Sequence, residues 1–372
     1  MDAPNQCRWS ACANPVDAVW PLVPTLLQDE VISSWLMRCA LAQGCGPTTL
    51  TSEAWPERRF WCNDPDRELT PKSIIILSRL SGIPTDALLA STLQPLYRLM
   101  AGTSLFPRGT VPWFLCLGCR SRRRCGGLQY CPLCFREQTP HYRIQSRLAW
   151  HTVCPAHGVS LMDHCESCLA PLCPQLLHPP EETIGRCHRC GYDLSLASPK
   201  VASDNALKFQ SATDGIFFGT PARYGEYRLA LAQWLSLSRW MIGILRSAMK
   251  AQSPCTKNFF RELGVSLESL RPPSTGLPFE FLAPSERADL LTNVWNMLQA
   301  GPDRMMLLAE QERIRASLLL PRFGEVPIPL GALARSLQNK KRHSSIQSRL
   351  DKPRSPKSVL MRWHRLLRKF QR

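Results

Sequence analysis

Four metal-binding dyads follow one another between Tyr130 and Gly191, and they constrain the fold of this chain more than any other feature of its sequence. Each dyad separates two soft donor side chains by two residues, the spacing at which a tight turn can aim both at one tetrahedral ion. In chain order the donors are Cys131 and Cys134, Cys154 and His157, Cys165 and Cys168, and Cys187 and Cys190. Two dyads complete a site, so the order predicts C-x2-C-x19-C-x2-H followed by C-x2-C-x18-C-x2-C.

Both predicted sites are filled by protein ligands alone, which is typical of structural zinc. A catalytic zinc keeps one coordination position open for water or substrate, and these sets leave none. Pro132 and Pro155 inside their dyads and Gly191 after the last one are the turn residues that such knuckles use. The alternative is unrelated thiols or disulfides, but the first residues carry no export signal and one spacing recurs four times. We therefore expect two structural Zn²⁺ ions.

A fifth dyad, Cys116 and Cys119 with Cys125 close behind, leaves the pairing open. A rival arrangement would join Cys116 and Cys119 to Cys131 and Cys134 and shift every later partner. Five dyads cannot all pair, so one is an orphan or belongs to a third, partial site. Spacing alone does not decide between these arrangements.

The formal charge of +17 is concentrated in two segments. Residues 120–147 contain seven Arg against one Glu, and residues 339–372 contain twelve Lys or Arg against Asp351. A surface that serves only solubility mixes both signs, so this clustering indicates a polyanionic partner, and nucleic acid is the obvious one. The alternative for a short charge run is a solvated loop. Candidate nucleic-acid contacts are Arg122, Arg123, Arg124, Lys340, Lys341, Arg342, Gln347, Arg349, Arg362 and Arg365.

Outside the metal region the patterns are helical. Apolar residues at Ile32, Trp35, Leu36, Cys39 and Ala40 form one stripe of a helix that begins near Asp29 and ends before Gly44. Thr70 and Pro71 predict a capped helix through Leu80, and Thr85 is expected to cap a second helix to Leu93. This pair has the outline of a helix-turn-helix, but its second helix has no basic residue, so packing or protein docking is favoured over DNA contact.

The C-terminal half predicts further helices over 226–250, 284–300 and 303–320, whereas 193–225 has the pattern of a loop. Residues 330–350 have the outline of a second helix-turn-helix. The pattern of residues 358–371 is that of a basic amphipathic helix that could bind nucleic acid, a membrane surface or a partner groove, or dock on its own chain.

The predicted fold class is mainly α with small zinc-ribbon or knuckle modules. Its expected units are an N-terminal helical region over 1–112, a tandem zinc-binding region over 113–192, a helical domain over 193–338 and a basic tail over 339–372. Seventeen cysteines without an export signal fit a reducing compartment, so we expect a soluble cytosolic protein. The most apolar region, 229–245, is interrupted by Arg239 and too short to span a bilayer.

The metal region resembles the TniQ/TnsD family of transposition proteins over about residues 20–192. The resemblance lies in the residues that interleave with the ligands: Tyr130-Cys-Pro-Leu-Cys134, Pro140-His-Tyr-Arg143, Arg147-Leu148, Val153-Cys-Pro-Ala-His-Gly158, Leu161 and Cys165-Glu-Ser-Cys168. An N-terminal signature of the family matches Pro24, Asp29-Glu30, Ser34-Trp35-Leu36 and Arg38. The family's run begins at the dyad that matches Cys131 and Cys134, so the resemblance implies that Cys116 and Cys119 are extra.

This resemblance implies a non-enzymatic adaptor that marks a transposon's target site and recruits an AAA+ ATPase, which directs the transposase. Marking is by direct DNA binding or by docking on an RNA-guided CRISPR effector complex, and the basic tail favours direct contact. The sequence offers no acidic transposase triad, no Walker A loop and no Gly-x-Ser-x-Gly motif. The alternatives are a zinc-ribbon transcription regulator and a zinc hydrolase acting on nucleic acid. The oligomeric state stays open, a homodimer included.

Overall fold

The protein is mainly helical, with few strands, as the sequence predicts. A computed structural model describes residues 19–337 apart from 57–58, 104, 108, 122–123, 251–252, 269, 271–276, 321–325, 332 and 336, together with 360, 361 and 363. Within these residues no helix is long and apolar enough to cross a membrane.

Helix α1, Ile32–Ala42, is the best-buried helix of the N-terminal part. Its predicted apolar stripe is completely buried, but Ser33, Ser34 and Met37 on the other faces are buried as well. The buried hydroxyls are satisfied: Ser34 donates to Glu30 at 2.7 Å and accepts the backbone N–H of Tyr142 at 3.0 Å. The helix is therefore surrounded, with its polar side chains facing the metal region rather than solvent.

Five further helices complete the N-terminal part. They are α2 (Pro47–Ala54), α3 (Pro65–Glu68), α4 (Pro71–Ser81), α5 (Thr85–Ala90) and α6 (Gln94–Ala101). Thr70 caps α4 by accepting the N–H of Ser73, as predicted, and Gly82 ends it in the left-handed conformation. The prediction for α5 was wrong in detail: Thr85 is its first helical residue and makes no cap, and the helix ends at Ala90 because Ser91 leaves the helical conformation.

A buried ion cluster joins this helical part to the start of the metal region. The guanidinium of Arg147, which is fully buried, donates to the carboxylates of Asp64 and Asp66 and to the carbonyl of Leu115 at 2.8 Å. Asp66 also accepts the backbone N–H and the hydroxyl of Ser33 from α1, at 2.8 and 2.9 Å. Burial raises the pKa of Asp66 to about 6; the positive charge of Arg147 opposes this rise, and the negative charge of Asp64 adds to it.

The metal region has little regular structure. Its elements are the hairpin strands β1 (Gly118–Ser121) and β2 (Arg124–Gly126), helix α7 (Pro132–Glu137) and short 3₁₀ turns. The segment 141–150 contains only a 3₁₀ turn at Gln145–Arg147. In this segment Arg147 turns inward to the ion cluster, and its side-chain hydrogen bonds to Asp64 and Asp66 take the place of a regular β-sheet hydrogen-bond pattern.

The C-terminal part is built from α8 (Asp204–Phe217), the hairpin β3 (Ala222–Tyr224) and β4 (Tyr227–Leu229), α9 (Leu231–Ala248), α10 (Pro254–Glu262), α11 (Pro284–Gln311) and α12 (Ala316–Leu319). The loop expected over 193–225 was wrong, because α8 and β3 occupy most of it. The break expected between the helices 284–300 and 303–320 is present within α11, because Gly301 has a non-helical φ of +80° and Pro302 follows. The second helix ends at Gln311, earlier than expected, and α12 is separate. The helix expected over 226–250 begins at Leu231, since its first residues form β4.

The C-terminal helices pack directly on the metal region. Gln210 of α8 accepts the N–H groups of Thr152 and Val153, next to the ligand Cys154, and donates to the carbonyl of Val153. Arg287 of α11 is buried and donates to the carbonyl of Ala149 and to the side chain of Gln129 at 2.7 Å. One hydrophobic cluster runs from Leu93 through Trp113 and Trp150 to Leu337. Packing is therefore continuous across the boundaries expected at 112/113 and 192/193.

The first helix of the second helix-turn-helix is described in part, and residues 331, 333–335 and 337 are helical as predicted. The second helix of that pair and nearly all of the amphipathic tail lie outside the described residues. Of the tail, Leu360, Met361 and Trp363 are described, and their side chains are about 60% exposed.

Replacing Arg147 by Met tests the ion cluster. We expect a loss of about 3–5 kcal/mol in the free energy of unfolding, because two buried carboxylates would face no cation. The measurement is urea unfolding in the presence of zinc. Arg143→Met is the matched control: Arg143 lies four residues upstream and donates only to Gln138 at the surface, so its loss should cost below about 1 kcal/mol. Equal losses in both variants would contradict the role of the cluster.

Candidate metal centres

The first predicted ligand set comes together in space. The donor atoms of Cys131, Cys134, Cys154 and His157 all lie within 4.8 Å of one another. The Sγ of Cys134 lies 3.6 Å from that of Cys154 and 3.4 Å from Nδ1 of His157. Bonds of about 2.3 Å to sulfur and 2.0–2.1 Å to nitrogen around a tetrahedral zinc require edges of roughly 3.5–3.8 Å. The arrangement therefore has the dimensions of a zinc site.

The second set, Cys165, Cys168, Cys187 and Cys190, has the same dimensions. Its Sγ atoms lie 3.7 Å apart between Cys165 and Cys190 and between Cys168 and Cys187. A disulfide would bring two sulfurs to about 2.05 Å, so neither pair is bonded. Both in-order pairings predicted from the spacing are thus present as four-donor clusters, and among the described residues no other such cluster occurs.

Three of the four dyads share one backbone geometry. The N–H of the residue after the second donor bonds the carbonyl of the first Cys, at 2.9 Å for Gly158, 3.0 Å for Leu169 and 2.9 Å for Gly191. The N–H of that Cys bonds the carbonyl one residue further on, and this closes the knuckle. The shared turn requires positive φ after the second donor, which explains the glycines at two of these positions.

Leu169 occupies that position in the third knuckle, and sequence reasoning missed it. Its φ is +55°, a conformation that costs a residue with a Cβ roughly 1–2 kcal/mol. Its side chain is 72% exposed, so packing does little to offset that cost. The sequence did indicate a positive φ at this position, because Gly158 and Gly191 follow the second donor in the knuckles on either side.

The remaining dyad is built on a helix. Cys131 is the N-cap of α7, Pro132 is its first residue and Cys134 lies one turn along. The same helix supplies Glu137, whose carboxylate lies 2.9 Å from Nε2 of His157. With Nε2–H donating to Glu137, the lone pair of Nδ1 faces the three sulfurs. This is how a carboxylate orients a ligating imidazole.

Each cluster contains one thiol that is easily ionised. Hydrogen bonds from Cys131 and Cys134 lower the pKa of Cys154, and the backbone N–H of Tyr192 lowers the pKa of Cys190 to about 7. Burial, in contrast, raises the pKa of Cys165 to about 12. Three thiolates in the first cluster and four in the second repel one another at these distances, so a divalent cation is the partner that suits both clusters. Zn²⁺ fits both donor sets, and in both it would be enclosed by protein ligands.

Of the fifth dyad, only the side chain of Cys116 is described, and it is not part of either cluster. Nη1 of Arg67 lies 3.0 Å from Sγ of Cys116, and that thiol also approaches the carbonyl of Gly109 at 3.8 Å. Cys119 and Cys125 face each other across β1 and β2, where the description covers only their backbone. Cys116 thus has a structural partner in Arg67.

The other histidines near the ligands have partners of their own, consistent with their exclusion from the predicted ligand sets. His141 bonds the carbonyl of Thr139, His151 pairs with Asp214 of α8, and His164 pairs with Asp163. His188 lies inside a dyad but not in the cluster; burial lowers its pKa.

The candidate nucleic-acid residues fall outside what the structure describes. Only the backbone of Arg124, in β2, is described, and the side chains of Arg122, Arg123, Lys340, Lys341, Arg342, Gln347, Arg349, Arg362 and Arg365 are not. Their role in binding nucleic acid stays a prediction.

The N-terminal signature residues have a structural role that the sequence did not reveal. Glu30 is buried and bonds Arg38 at 2.6 Å, Ser34 at 2.7 Å and the N–H of Leu27 at 3.1 Å. Trp35 donates its indole N–H to the carbonyl of Pro24. Glu30 also pairs with Arg143 of the metal region through an isolated β-bridge. These residues fix the start of α1 and fasten it to the segment 142–143 of the metal region.

Together, the fold and the two closed clusters define a helical protein with structural metal modules. Residues 21–161 match the family model described as TniQ, so this part of the chain carries a TniQ domain. The match covers α1 to α6 and the whole first cluster and ends before the second. Comparison with curated proteins gives no match.

Elemental analysis should find two zinc ions per chain. Cys116→Ser/Cys119→Ser should retain both, because neither cluster uses these thiols, and Cys154→Ser should lose one because it removes a ligand. A fall to one ion in the Cys116→Ser/Cys119→Ser variant would show that the fifth dyad binds metal and that the in-order pairing is wrong.

Replacing Leu169 by Gly should stabilise the zinc-loaded protein by up to about 1 kcal/mol, because glycine adopts positive φ without the Cβ penalty. The reciprocal control is Gly191→Leu in the neighbouring knuckle. A Cβ there meets no atom within 4 Å, so its cost of about 1–2 kcal/mol would be conformational. Chemical unfolding measures both, and a loss of stability in Leu169→Gly would refute this account of the knuckle.

Proposed function

We propose that this protein is a non-enzymatic adaptor in DNA transposition, which marks the target site and recruits an AAA+ ATPase and, through it, the transposase. The TniQ match over residues 21–161 carries this proposal, since the family is associated with transposition. The two clusters support it because each offers four protein ligands to one ion, which leaves no coordination position for a substrate.

The structure suggests how such an adaptor would work. The metal clusters fix short loops that could not otherwise hold a conformation, and α8 and α11 brace them through Gln210 and Arg287. The result is a rigid platform between two helical parts. In this proposal the platform keeps the surfaces for target and ATPase at a constant separation, and two Zn²⁺ ions are required for stability rather than for chemistry.

Two modes of marking are compatible with this role. Direct DNA contact is favoured by the chain's excess of +17 and by the basic segments. Docking on an RNA-guided CRISPR effector complex would use protein surfaces instead. The alternative function, a zinc-ribbon transcription regulator, needs no ATPase partner.

The decisive experiment is a binding assay with the AAA+ ATPase and the transposase encoded beside the gene. Immobilised, zinc-loaded protein should retain the ATPase, and adding it to a reconstituted reaction should move insertions from scattered positions to one target. Cys154→Ser/Cys187→Ser, which damages both clusters, should lose this effect. Flanking genes without an ATPase and a transposase, together with repression at a promoter, would favour the regulator.

A further inference from the structure

The hairpin of β3 and β4 carries two arginines that lie opposite each other. In the register of the antiparallel pair, Arg223 faces Arg228, between the pairs Ala222 with Leu229 and Tyr224 with Tyr227. Ala222, Tyr224 and Leu229 are buried, whereas Arg223 and Arg228 are exposed. Successive side chains of a strand point to opposite faces, so both guanidinium groups lie on the solvent face of the ribbon.

This arrangement is unfavourable for the protein by itself. Directly opposite residues have Cβ atoms about 4.5–5.5 Å apart, and like charges at this distance destabilise the pair. Among the described residues, several arginines form ion pairs within 4.0 Å, but Arg223 and Arg228 are not among them. Glu226 in the hairpin turn is the only acid of the ribbon, and it pairs with neither arginine within 4.0 Å. An anion from outside would remove this repulsion.

The hairpin is held firmly in place. Tyr224 and Leu229 belong to the large hydrophobic cluster, together with α9 and α11. In the turn, Gly225 has φ +59°, and a Cβ there would lie 2.8 Å from the ring of Pro302, at the kink of α11. The backbone that carries the two arginines is thus fixed before any ligand arrives, which lowers the entropy lost on binding.

We propose that the β3–β4 hairpin binds the phosphate backbone of duplex DNA through Arg223 and Arg228. Guanidinium groups bind phosphate oxygens in a planar, two-pronged geometry, and a two-stranded ribbon fits the major groove. This site would give the proposed adaptor a contact with DNA. The proposal rests on the proposed function only for the choice of DNA over another polyanion.

The test is fluorescence anisotropy with a labelled 30-base-pair duplex of arbitrary sequence, using the full zinc-loaded chain over a series of salt concentrations. Arg223→Gln/Arg228→Gln should weaken binding roughly tenfold for each arginine near 0.1 M salt and reduce the slope of log K against log salt by about 1.8. Arg79→Gln/Arg98→Gln, in α4 and α6, is the control with the same loss of charge, and it should bind the duplex like the unaltered protein.

A charge reversal separates binding from folding. Arg223→Glu would face Arg228 with the opposite charge, so the hairpin should gain stability while the duplex is repelled. We expect its unfolding midpoint to rise and its affinity for the duplex to fall further than in Arg223→Gln. A structural role for Arg223 would instead lower the midpoint.

Three outcomes would overturn the proposal: unchanged binding by the double Gln variant, an equal loss in the control, or no duplex binding by the unaltered protein at low salt. Tighter binding of labelled polyglutamate than of DNA at matched salt would assign the pair to an acidic protein and also overturn it. None of these results affects the ATPase-binding assay, which tests the adaptor role separately.

Discussion

The guanidinium of Arg147 connects more of this molecule than any other single group. It lies between Asp64 and Asp66, and through them it reaches Ser33 in α1 and the N–H of Leu117, just before β1. Three segments distant in sequence therefore meet at one point that water does not enter. A buried charge is tolerated only where its partners are correctly placed, so the cluster permits one arrangement of the helical part against the metal region.

A second buried guanidinium plays the corresponding part on the other side of the metal region. Arg287 of α11 bonds the carbonyls of Leu282 and Ala149 and the amide of Gln129, with no carboxylate in the set. Burial lowers its pKa to about 10, so it stays charged at neutral pH. Gln129 in turn bonds the carbonyls of Ser146 and His151, so α11 is tied to the loop between the first two dyads.

The sequence predicted the parts of this structure that depend on local signals. Fixed spacing revealed the ligand sets, and a Thr-Pro cap with an apolar stripe revealed α4 and α1. Helix α8 was missed because its buried face includes Gln210 and Thr213, polar side chains that hide the apolar period. Those residues are buried because they bond Val153 and the indole of Trp234, partners that no local pattern shows. The ion cluster was missed for the same reason, since its members lie up to 83 residues apart.

The bond between Arg67 and Cys116 has a consequence for how the chain acquires its metal. Translation releases Cys116, Cys119, Cys131 and Cys134 before Cys154 and His157, so four donors able to capture zinc exist before the correct partners do. Arg67 and the ion-cluster residues Asp64 and Asp66 are released earlier still. Arg67 also bonds the carbonyls of Pro107 and Gly109, so its contact with Cys116 would hold this thiol against the 107–109 segment and disfavour a premature site with Cys131 and Cys134 on the nascent chain.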